Sequence, residues 1–209
     1  MGKKKQRNRK IAGKILIVIG SFIIVLVIAI NVIDLVKSTI AINDFKKSQS
    51  TTVVKKSDDD DQITSLKSAP IVELEEIPDE KETMCLLRIS KINLEEAVKE
   101  GSTKGVLSSA LGHVENTALP GKDGNCCIAG HRNYSFGKFF NRLDEVTLGD
   151  VIELETKDSL YTYEVVSIEV VEPEEVSVLD YVEGKNLTLI TCTPFMIGTH
   201  RLIVHAILV

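Results

Sequence analysis

The stretch Asn186-Leu187-Thr188-Leu189-Ile190-Thr191-Cys192-Thr193-Pro194 is a short, apolar and β-branched run that a proline stops. This pattern predicts a β-strand with a cysteine at its C-terminal end. Nine residues after the cysteine, Arg201 opens a second apolar run that continues to Val209. Upstream, His131 directly follows another apolar run. Cysteine, histidine and arginine at the ends of strands are the side chains that acyl transfer to a thiol requires.

The remainder of the C-terminal part repeats the same strand pattern. The predicted strands cover residues 86–89, 92–98, 126–129, 150–155, 160–171, 186–194 and 201–209. Short helical turns are predicted at 106–111, 137–146 and 176–181. No strand–helix–strand alternation and no internal repeat occurs. Seven or eight short strands with small helices predict an all-β barrel or sandwich that begins near Met84.

The N-terminal part has the pattern of a membrane anchor. Seven Lys and Arg and no acid precede an uncharged run at 15–33, which is long enough to cross a bilayer as a helix. The basic tail, 1–14, is then cytoplasmic and the remainder external. A cleaved signal peptide is the alternative, but its apolar region is usually shorter, and residues 34–37 offer no small-residue cleavage site. Residues 34–83, with an acidic run, predict an extracellular linker with some helix continuing from the anchor.

The charge distribution excludes one class of partner. After residue 14, eighteen Lys and Arg face all thirty Asp and Glu, so the predicted external part has a formal charge near −12. An acidic body with few aromatic residues and no basic stripe argues against nucleic-acid binding. The basic tail is explained by membrane topology and by anionic lipid.

The four cysteines do not form a recognisable metal or disulfide motif. An even number of cysteines outside the membrane invites a disulfide interpretation. However, Cys126 and Cys127 are adjacent on a predicted strand and point to opposite faces, and no C-x-x-C occurs. We interpret these two and Cys85 as small apolar core residues, with a disulfide that involves one of them left open.

Cys192 is the candidate nucleophile. The thiolate is the reactive form of cysteine, so the site needs a base or a cationic neighbour. His131 can accept the thiol proton, or donate a proton to a leaving amine. Arg201 stays charged, and its use is therefore to donate hydrogen bonds to an oxyanion or to the substrate backbone.

Three motifs in order resemble the sortases, the membrane-anchored cysteine transpeptidases of Gram-positive bacteria. These are IAGHR at 128–132, TLITC at 188–192, and an arginine nine residues past the cysteine. Further matches are GHVENTALPG at 112–121, GD at 149–150 and VEPEEVSVLD at 171–180. The resemblance covers about residues 84–209 and implies the closed eight-stranded sortase β-barrel.

The resemblance also implies roles for individual residues. Cys192 would be the nucleophile, His131 its proton-transfer partner, and Arg201 the clamp for the substrate and the oxyanion. Thr191 would help to shape the oxyanion site. The loop from Pro173 to Lys185 would help to form the groove for the sorting signal. The substrate-binding residues expected on it are Val176, Val178 and Leu179.

The implied reaction cleaves a Leu-Pro-x-Thr-Gly-like signal between Thr and Gly through a thioacyl-enzyme. The implied partners are surface proteins that carry this signal and a cell-wall precursor that supplies the accepting amine. No cofactor or metal is predicted. Calcium could bind acids near the groove, but clustered acids on an acidic surface are more often only solvated. The acids concerned are Glu115, Glu172, Glu174 and Glu175.

The class within the family is less constrained. GHVENTALPG resembles class D or housekeeping-type sortases, whereas TCTP followed by THR at 199–201 is similar to the class C pilin polymerases. Class C enzymes typically carry an aspartate-proline-aromatic lid, which residues 77–80 do not provide, and a second, C-terminal membrane helix. The sequence therefore favours protein anchoring. Other hypotheses are a different cell-wall cysteine enzyme such as an amidase, and a non-catalytic barrel that binds wall peptides.

Overall fold

The computed structural model describes residues 19–26, 28–29, 32, 36, 39–49, 82–132 and 138–209. The chain divides into two compact units, Met1–Lys37 and Ser38–Val209. The second unit contains all of the strands that the structure describes and all of the candidate site residues, and it is described first.

Eight strands form a closed barrel. Around the barrel their order is β1-β2-β3-β4-β7-β8-β6-β5, and β5 closes the ring by pairing with β1. The β2–β3 and β4–β7 pairs are parallel, and the others are antiparallel. The strand bounds are β1 Thr83–Ile89, β2 Leu94–Glu100, β3 Leu111–His113, β4 Gly124–Ala129, β5 Val151–Thr156, β6 Leu160–Val171, β7 Lys185–Thr193 and β8 His200–Leu208. The predicted barrel is therefore confirmed.

Side chains from alternate positions along the strands fill the interior of the barrel. Leu187 and Leu189 of β7 lie in the main core, as do Leu202 and Val204 of β8. Because successive side chains of a strand point to opposite faces, the residues between them face outwards. On β7 this outer set includes Cys192. The strand that carries the candidate nucleophile is thus held by an apolar inner face, while its thiol lies outside the core.

The helical elements are shorter than the sequence suggests. The turn predicted near 106–111 is the helix Lys104–Leu107, and the loop before β7 contains a 3-10 turn at Ser177–Leu179. Within the described part of the helix predicted at 137–146, the structure has a 3-10 turn at Leu143–Glu145. Phe139 has a φ of 51°, which is left-handed and interrupts a right-handed helix. A third 3-10 turn, Ser90–Ile92, joins β1 to β2.

A helix from the predicted linker packs on the outside of the barrel. Residues 39–49, named α1 here, are helical, and Phe45 is buried against Leu86 of β1 and Ala97 of β2. Lys46 forms an ion pair of 3.0 Å with Glu95. Gln49 Nε2 donates to the carbonyl oxygen of Thr156 on β5 at 3.0 Å. The compact unit therefore includes residues well before the first strand.

The described residues of the first unit are helical, and apart from Ser21 they are apolar or glycine. Among the side chains that the structure describes there, Phe22 is 68% exposed and Val25 is 63% exposed. The predicted anchor at 15–33 falls only partly within the described residues, and the basic tail at 1–14 lies outside them. Within the described part of the chain, no helix combines the length and the apolar character needed to cross a membrane.

Candidate active site

Strands β7 and β8 place Cys192 and Arg201 side by side. The two residues are direct partners in the antiparallel register, and side chains of such partners share one face with their Cβ atoms about 5 Å apart. Both follow the outer set of their strands, and both are half-buried. The predicted meeting of a thiol and a guanidinium at one end of the sheet is a property of this strand pair.

Strand β4 pairs with β7 on the side opposite to β8, and it leads to His131 next to Cys192. The two strands are parallel with Ala129 opposite Ile190, and extending this register by two residues places His131 beside Cys192. The backbone N–H of Gly130 donates to the carbonyl of Ile190 at 3.0 Å. The Thr191 hydroxyl in turn donates to the Gly130 carbonyl at 2.8 Å. Hydrogen bonds on both sides of Gly130 thus hold the histidine next to the cysteine.

Gly130 itself leaves no room for a side chain. A Cβ at this position would lie 2.6 Å from a methyl carbon of Leu111 and 2.6 Å from a ring carbon of Phe140. Phe140 also donates its backbone N–H to the carbonyl of His131 at 3.1 Å. The close packing of Gly130 and the Phe140 contact fix the backbone on both sides of the histidine.

The Arg201 guanidinium keeps part of its hydrogen-bonding capacity available. Its Nη1 donates to the carbonyls of Gly198 at 3.2 Å and His200 at 3.0 Å. Both contacts use one nitrogen, so within the described residues Nε and Nη2 are left for a ligand. The side chain is therefore anchored to its own loop and can still donate to an anionic or carbonyl oxygen.

The Cys192 thiol and the His131 imidazole belong to neighbouring positions but do not form a direct hydrogen bond with each other. Among the described residues, no hydrogen bond joins Cys192 to His131, although both side chains are half-buried and reachable from solvent. Catalytic hydrogen bonds are often long in enzymes without substrate and tighten on binding. The arrangement places a thiol, an imidazole and a guanidinium on one outer surface.

Comparison with known proteins agrees with this geometry. A family model described as the sortase domain matches residues 87–209. The chain belongs to the sortase family. Sortase SrtE1 of Streptomyces coelicolor is 38% identical over 135 residues, which cover 57% of this chain and 38% of that protein. Sortase D of Bacillus subtilis is 30% identical over 119 residues, which cover 56% of this chain and 58% of that protein.

Solved sortase structures share the fold over a larger part of the chain. The Clostridium perfringens Sortase D5 transpeptidase superposes with a TM-score of 0.65 at 34% identity, covering 83% of this chain and 98% of that one. Sortase C1 of Streptococcus agalactiae gives a TM-score of 0.60 at 34% identity, covering 63% and 69%. The chain spans between 38% and 62% of the length of the curated relatives it matches.

Of the substrate-binding residues predicted for this sortase domain, three lie together and one does not. Val176, Val178 and Leu179 lie in the loop before β7, and Val176 is 67% exposed. Thr191 is buried, and its hydroxyl donates its hydrogen bond to the Gly130 carbonyl. Any contact between Thr191 and a substrate would therefore involve its backbone.

An apolar strip leads away from Cys192 on the same outer face. Ile190 pairs with Ile203 on β8 and with Ala129 on β4. Cross-strand partners share one face, so the three side chains lie together on it. Ala129 and Ile190 are half-buried and form an apolar floor, whereas Ile203 is fully buried. This floor was not singled out from the sequence, although alternation on β7 and β8 marks Ile190 and Ile203 as members of the same face as Cys192.

Arg132 was also missed by the sequence analysis. Its side chain is 8% exposed and bridges three segments around the site. Nη1 donates to the Thr193 hydroxyl at 3.1 Å, Nη2 pairs with Asp144 at 2.7 Å, and Nε donates to the Asn141 carbonyl at 3.4 Å. The guanidinium carbon also lies 5.8 Å from the centre of the Phe195 ring. In the sequence, the only indication that Arg132 belongs to the site is that it directly follows His131.

Burial separates Cys192 from the other three thiols. All four cysteines are free, and Cys85, Cys126 and Cys127 are buried. Burial raises the pKa of Cys85 and of Cys126, and raises the pKa of Cys127 to about 12. The interpretation of these three as core residues is confirmed for the structure, and Cys192 is the thiol that a substrate can reach.

Two of the four acids considered for calcium, Glu172 and Glu175, have other neighbours. Glu172 pairs with His200 at 3.2 Å, and Glu175 accepts from the backbone N–H of Ser177 at 3.3 Å. Among the residues that the structure describes, no group of three or more His, Cys, Asp and Glu side chains is arranged to hold a metal ion.

Proposed function

We propose that this chain is a cysteine transpeptidase that cleaves a Leu-Pro-x-Thr-Gly-like sorting signal between Thr and Gly and transfers the protein to an amine. The observation that carries the proposal is the direct cross-strand pairing of Cys192 with Arg201, with His131 beside them on the neighbouring strand. Membership of a family of cysteine transpeptidases supports the reaction type.

The site residues account for each step of the reaction. The Cys192 thiol gives its proton to His131. The sulfur attacks the Thr carbonyl carbon and forms a C–S bond, and Arg201 donates hydrogen bonds to the resulting oxyanion. The C–N bond to Gly breaks when His131 donates a proton to the leaving amine. The accepting amine then attacks the thioester and loses a proton to the imidazole. A new amide is released, and the sulfur regains its starting state.

The groove for the signal is proposed to run along the outer face of β4, β7 and β8. Its floor is formed by the half-buried Ala129 and Ile190, and its wall is the loop that carries Val176, Val178 and Leu179. An apolar floor that ends at the nucleophile suits a Leu-Pro pair upstream of the cleaved bond. Excluding water there favours an amine over hydrolysis of the thioester.

The proposed class is the protein-anchoring, class D or housekeeping type. The structure of the Clostridium perfringens Sortase D5 transpeptidase covers 83% of this chain, against 63% for Streptococcus agalactiae sortase C1, which supports this choice. The proposed clients are surface proteins that carry the signal, and the proposed acceptor is an amine of a cell-wall precursor. Pilin polymerisation is the second candidate, favoured by the TCTP and THR motifs alone.

We also propose a single-pass anchor at residues 15–33 with the catalytic domain outside the cell. The basic tail, the length of the apolar run and the acidic remainder support this topology. Large apolar side chains are exposed among the described residues there, including Phe22 and Val25, and such surface is costly in water.

Mass spectrometry of the full chain in detergent with a Leu-Pro-x-Thr-Gly peptide tests the activity. We expect a thioacyl adduct on the protein, and a transferred product when triglycine is added as the amine. Cys192→Ala should abolish both, and Cys127→Ala, which removes a buried thiol, is the matched control. Unchanged cleavage in Cys192→Ala, or none by the folded parent chain, would refute the proposed function.

Arg201 gives a second test of the same proposal. Arg201→Lys keeps the charge but loses the planar fork that anchors the side chain while it donates to the oxyanion. We expect kcat/KM to fall about 100-fold or more, the size of losing an oxyanion donor, with the far-UV spectrum unchanged. A variant that retains parent turnover would remove the assigned role.

A further inference from the structure

A row of polar side chains crosses the outer face of the barrel on the side of Cys192. The row has one residue from each of four strands, namely Asn125 of β4, Thr188 of β7, His205 of β8 and Glu169 of β6. The Thr188 hydroxyl donates to Asn125 Oδ1 at 2.7 Å and lies 3.0 Å from His205 Nδ1. His205 Nε2 lies 3.1 Å from Glu169 Oε1. Four adjacent strands are thus linked by consecutive hydrogen bonds.

The row ends on the loop that is proposed to bind substrate. Asn125 Nδ2 donates to the carbonyls of Val178 at 3.0 Å and of Asp180 at 3.3 Å. These two residues flank Leu179 at the end of the 3-10 turn. Asn125 is 4% exposed and Thr188 is 1% exposed, so water cannot easily replace either partner.

The partners fix the direction of every hydrogen bond in the row. Both amide protons of Asn125 are used by backbone carbonyls, which only accept, so its Oδ1 must face Thr188. Thr188 then donates its one proton to Asn125 and can only accept from His205. Nδ1 of His205 therefore carries a proton, and Nε2 faces a carboxylate that also accepts.

We propose that Asn125, Thr188 and His205 are positioning residues that hold the turn at 177–179 in place for the substrate. This proposal rests on the proposed function, because it takes that turn as a wall of the signal groove. None of the three side chains needs to touch the reacting atoms. Their effect is on how strongly the enzyme binds its peptide, through the order of one loop.

Hydrogen exchange in the full chain tests the positioning without any substrate. The backbone N–H groups of Leu179 and Asp180 donate to Val176 and Ser177 within the turn, and their protection reports its order. Thr188→Val keeps the side-chain shape but removes the hydroxyl, whereas Thr188→Ser keeps the hydroxyl. We expect Thr188→Val to exchange about 5- to 30-fold faster at these two amides, the factor for losing a buried hydrogen bond, and Thr188→Ser to resemble the parent.

Peptide cleavage supplies the second readout. Thr188→Val should raise KM by a similar factor with kcat within about twofold, because only binding is affected. Unchanged exchange at Leu179 and Asp180 in a folded Thr188→Val protein would overturn the proposal. Faster exchange with an unchanged KM would overturn its link to substrate. If the parent chain cleaves no peptide, the proposed function fails, while the exchange result still decides whether the row orders the turn.

Two substitutions isolate His205. His205→Gln keeps one donor for Thr188, so protection of Leu179 and Asp180 should stay close to that of the parent. His205→Ala removes that donor, and we expect faster exchange at the same two amides. Parent-like protection in a folded His205→Ala protein would contradict the role of the histidine.

Discussion

One hydroxyl and one guanidinium organise the proposed catalytic residues. Thr191 ties β7 to the Gly130 carbonyl, and Arg132 ties the residue after His131 to the segment after Cys192. Neither side chain reaches into the groove. Buried polar contacts next to Cys192 and His131 therefore fix their arrangement. A site built in this way on strand ends does not depend on how well the surrounding loops are ordered.

Arg132 should prove to be a positioning residue. Arg132→Lys keeps a charge for Asp144 but cannot also reach Thr193 and Asn141 in the same geometry. We expect kcat to fall about 5- to 20-fold with little change in KM, and the free energy of unfolding to fall by about 1–2 kcal/mol, as for lost buried hydrogen bonds. Steady-state peptide cleavage and urea unfolding measure the two effects.

The control for this change is Arg142→Ala. Arg142 pairs with Glu145 on its own turn and donates to the carbonyl of Ile92, away from the His131 and Cys192 backbone. It should leave kcat close to that of the parent. If Arg132→Lys lowers the stability but leaves kcat unchanged, Arg132 serves the fold alone.

The sequence predicts some of these residues and not others for a physical reason. Cys192 and His131 stand at the ends of apolar runs and Arg201 stands at the start of one, so the local pattern marks all three. Arg132 and Asn125 act on partners far away in the chain, and their contacts depend on the parallel pairing of β4 with β7. No local pattern reports a parallel pairing, because the two strands are separated by more than fifty residues.

The packing of helix α1 is likewise not predictable from a local sequence pattern. Its spacing of Ala41, Ile42 and Phe45 gives an apolar face, but the charged, polar stretch around it indicates a linker. The structure supplies what the sequence lacks, namely the outward-facing Leu86 and Ala97 on which Phe45 packs. The strands themselves were predictable because alternation and β-branched residues are local properties.

The packing of α1 should contribute measurably to the stability of the catalytic unit. Phe45 is 2% exposed, and Phe45→Ala is expected to lower the free energy of unfolding by about 3 kcal/mol, as for other buried phenylalanines. Denaturant unfolding and hydrogen exchange of residues 39–49 measure the loss. Peptide cleavage should be unaffected, because β1 and β2 are separated from β7 by β3 and β4 in the barrel.

Ile40→Ala is the matched change on the exposed side of the same helix, where the side chain is 52% exposed. It should alter the stability by no more than about 0.5 kcal/mol. Equal effects of the two substitutions would mean that α1 is not held by Phe45.

The barrel as a whole should be unusually sensitive to alkaline pH. Burial raises the pKa of Cys85, Cys126 and Cys127, so the folded protein keeps these three thiols protonated. The unfolded chain exposes them, and there they ionise near the ordinary cysteine value of about 8.5. Below that value, both states are protonated and the thiols add no pH dependence.

Above it, the unfolded state binds fewer protons than the folded state, so stability must fall as the pH rises. With three thiols, the limiting slope is about 4 kcal/mol per pH unit, since one proton corresponds to about 1.4 kcal/mol. Urea unfolding at a series of pH values from about 8 to about 10, where cysteine ionises, measures this slope under reducing conditions. Cys126→Ala should reduce it by about one third. A slope that does not change in that variant would mean that Cys126 ionises without unfolding, contrary to its burial inside the barrel.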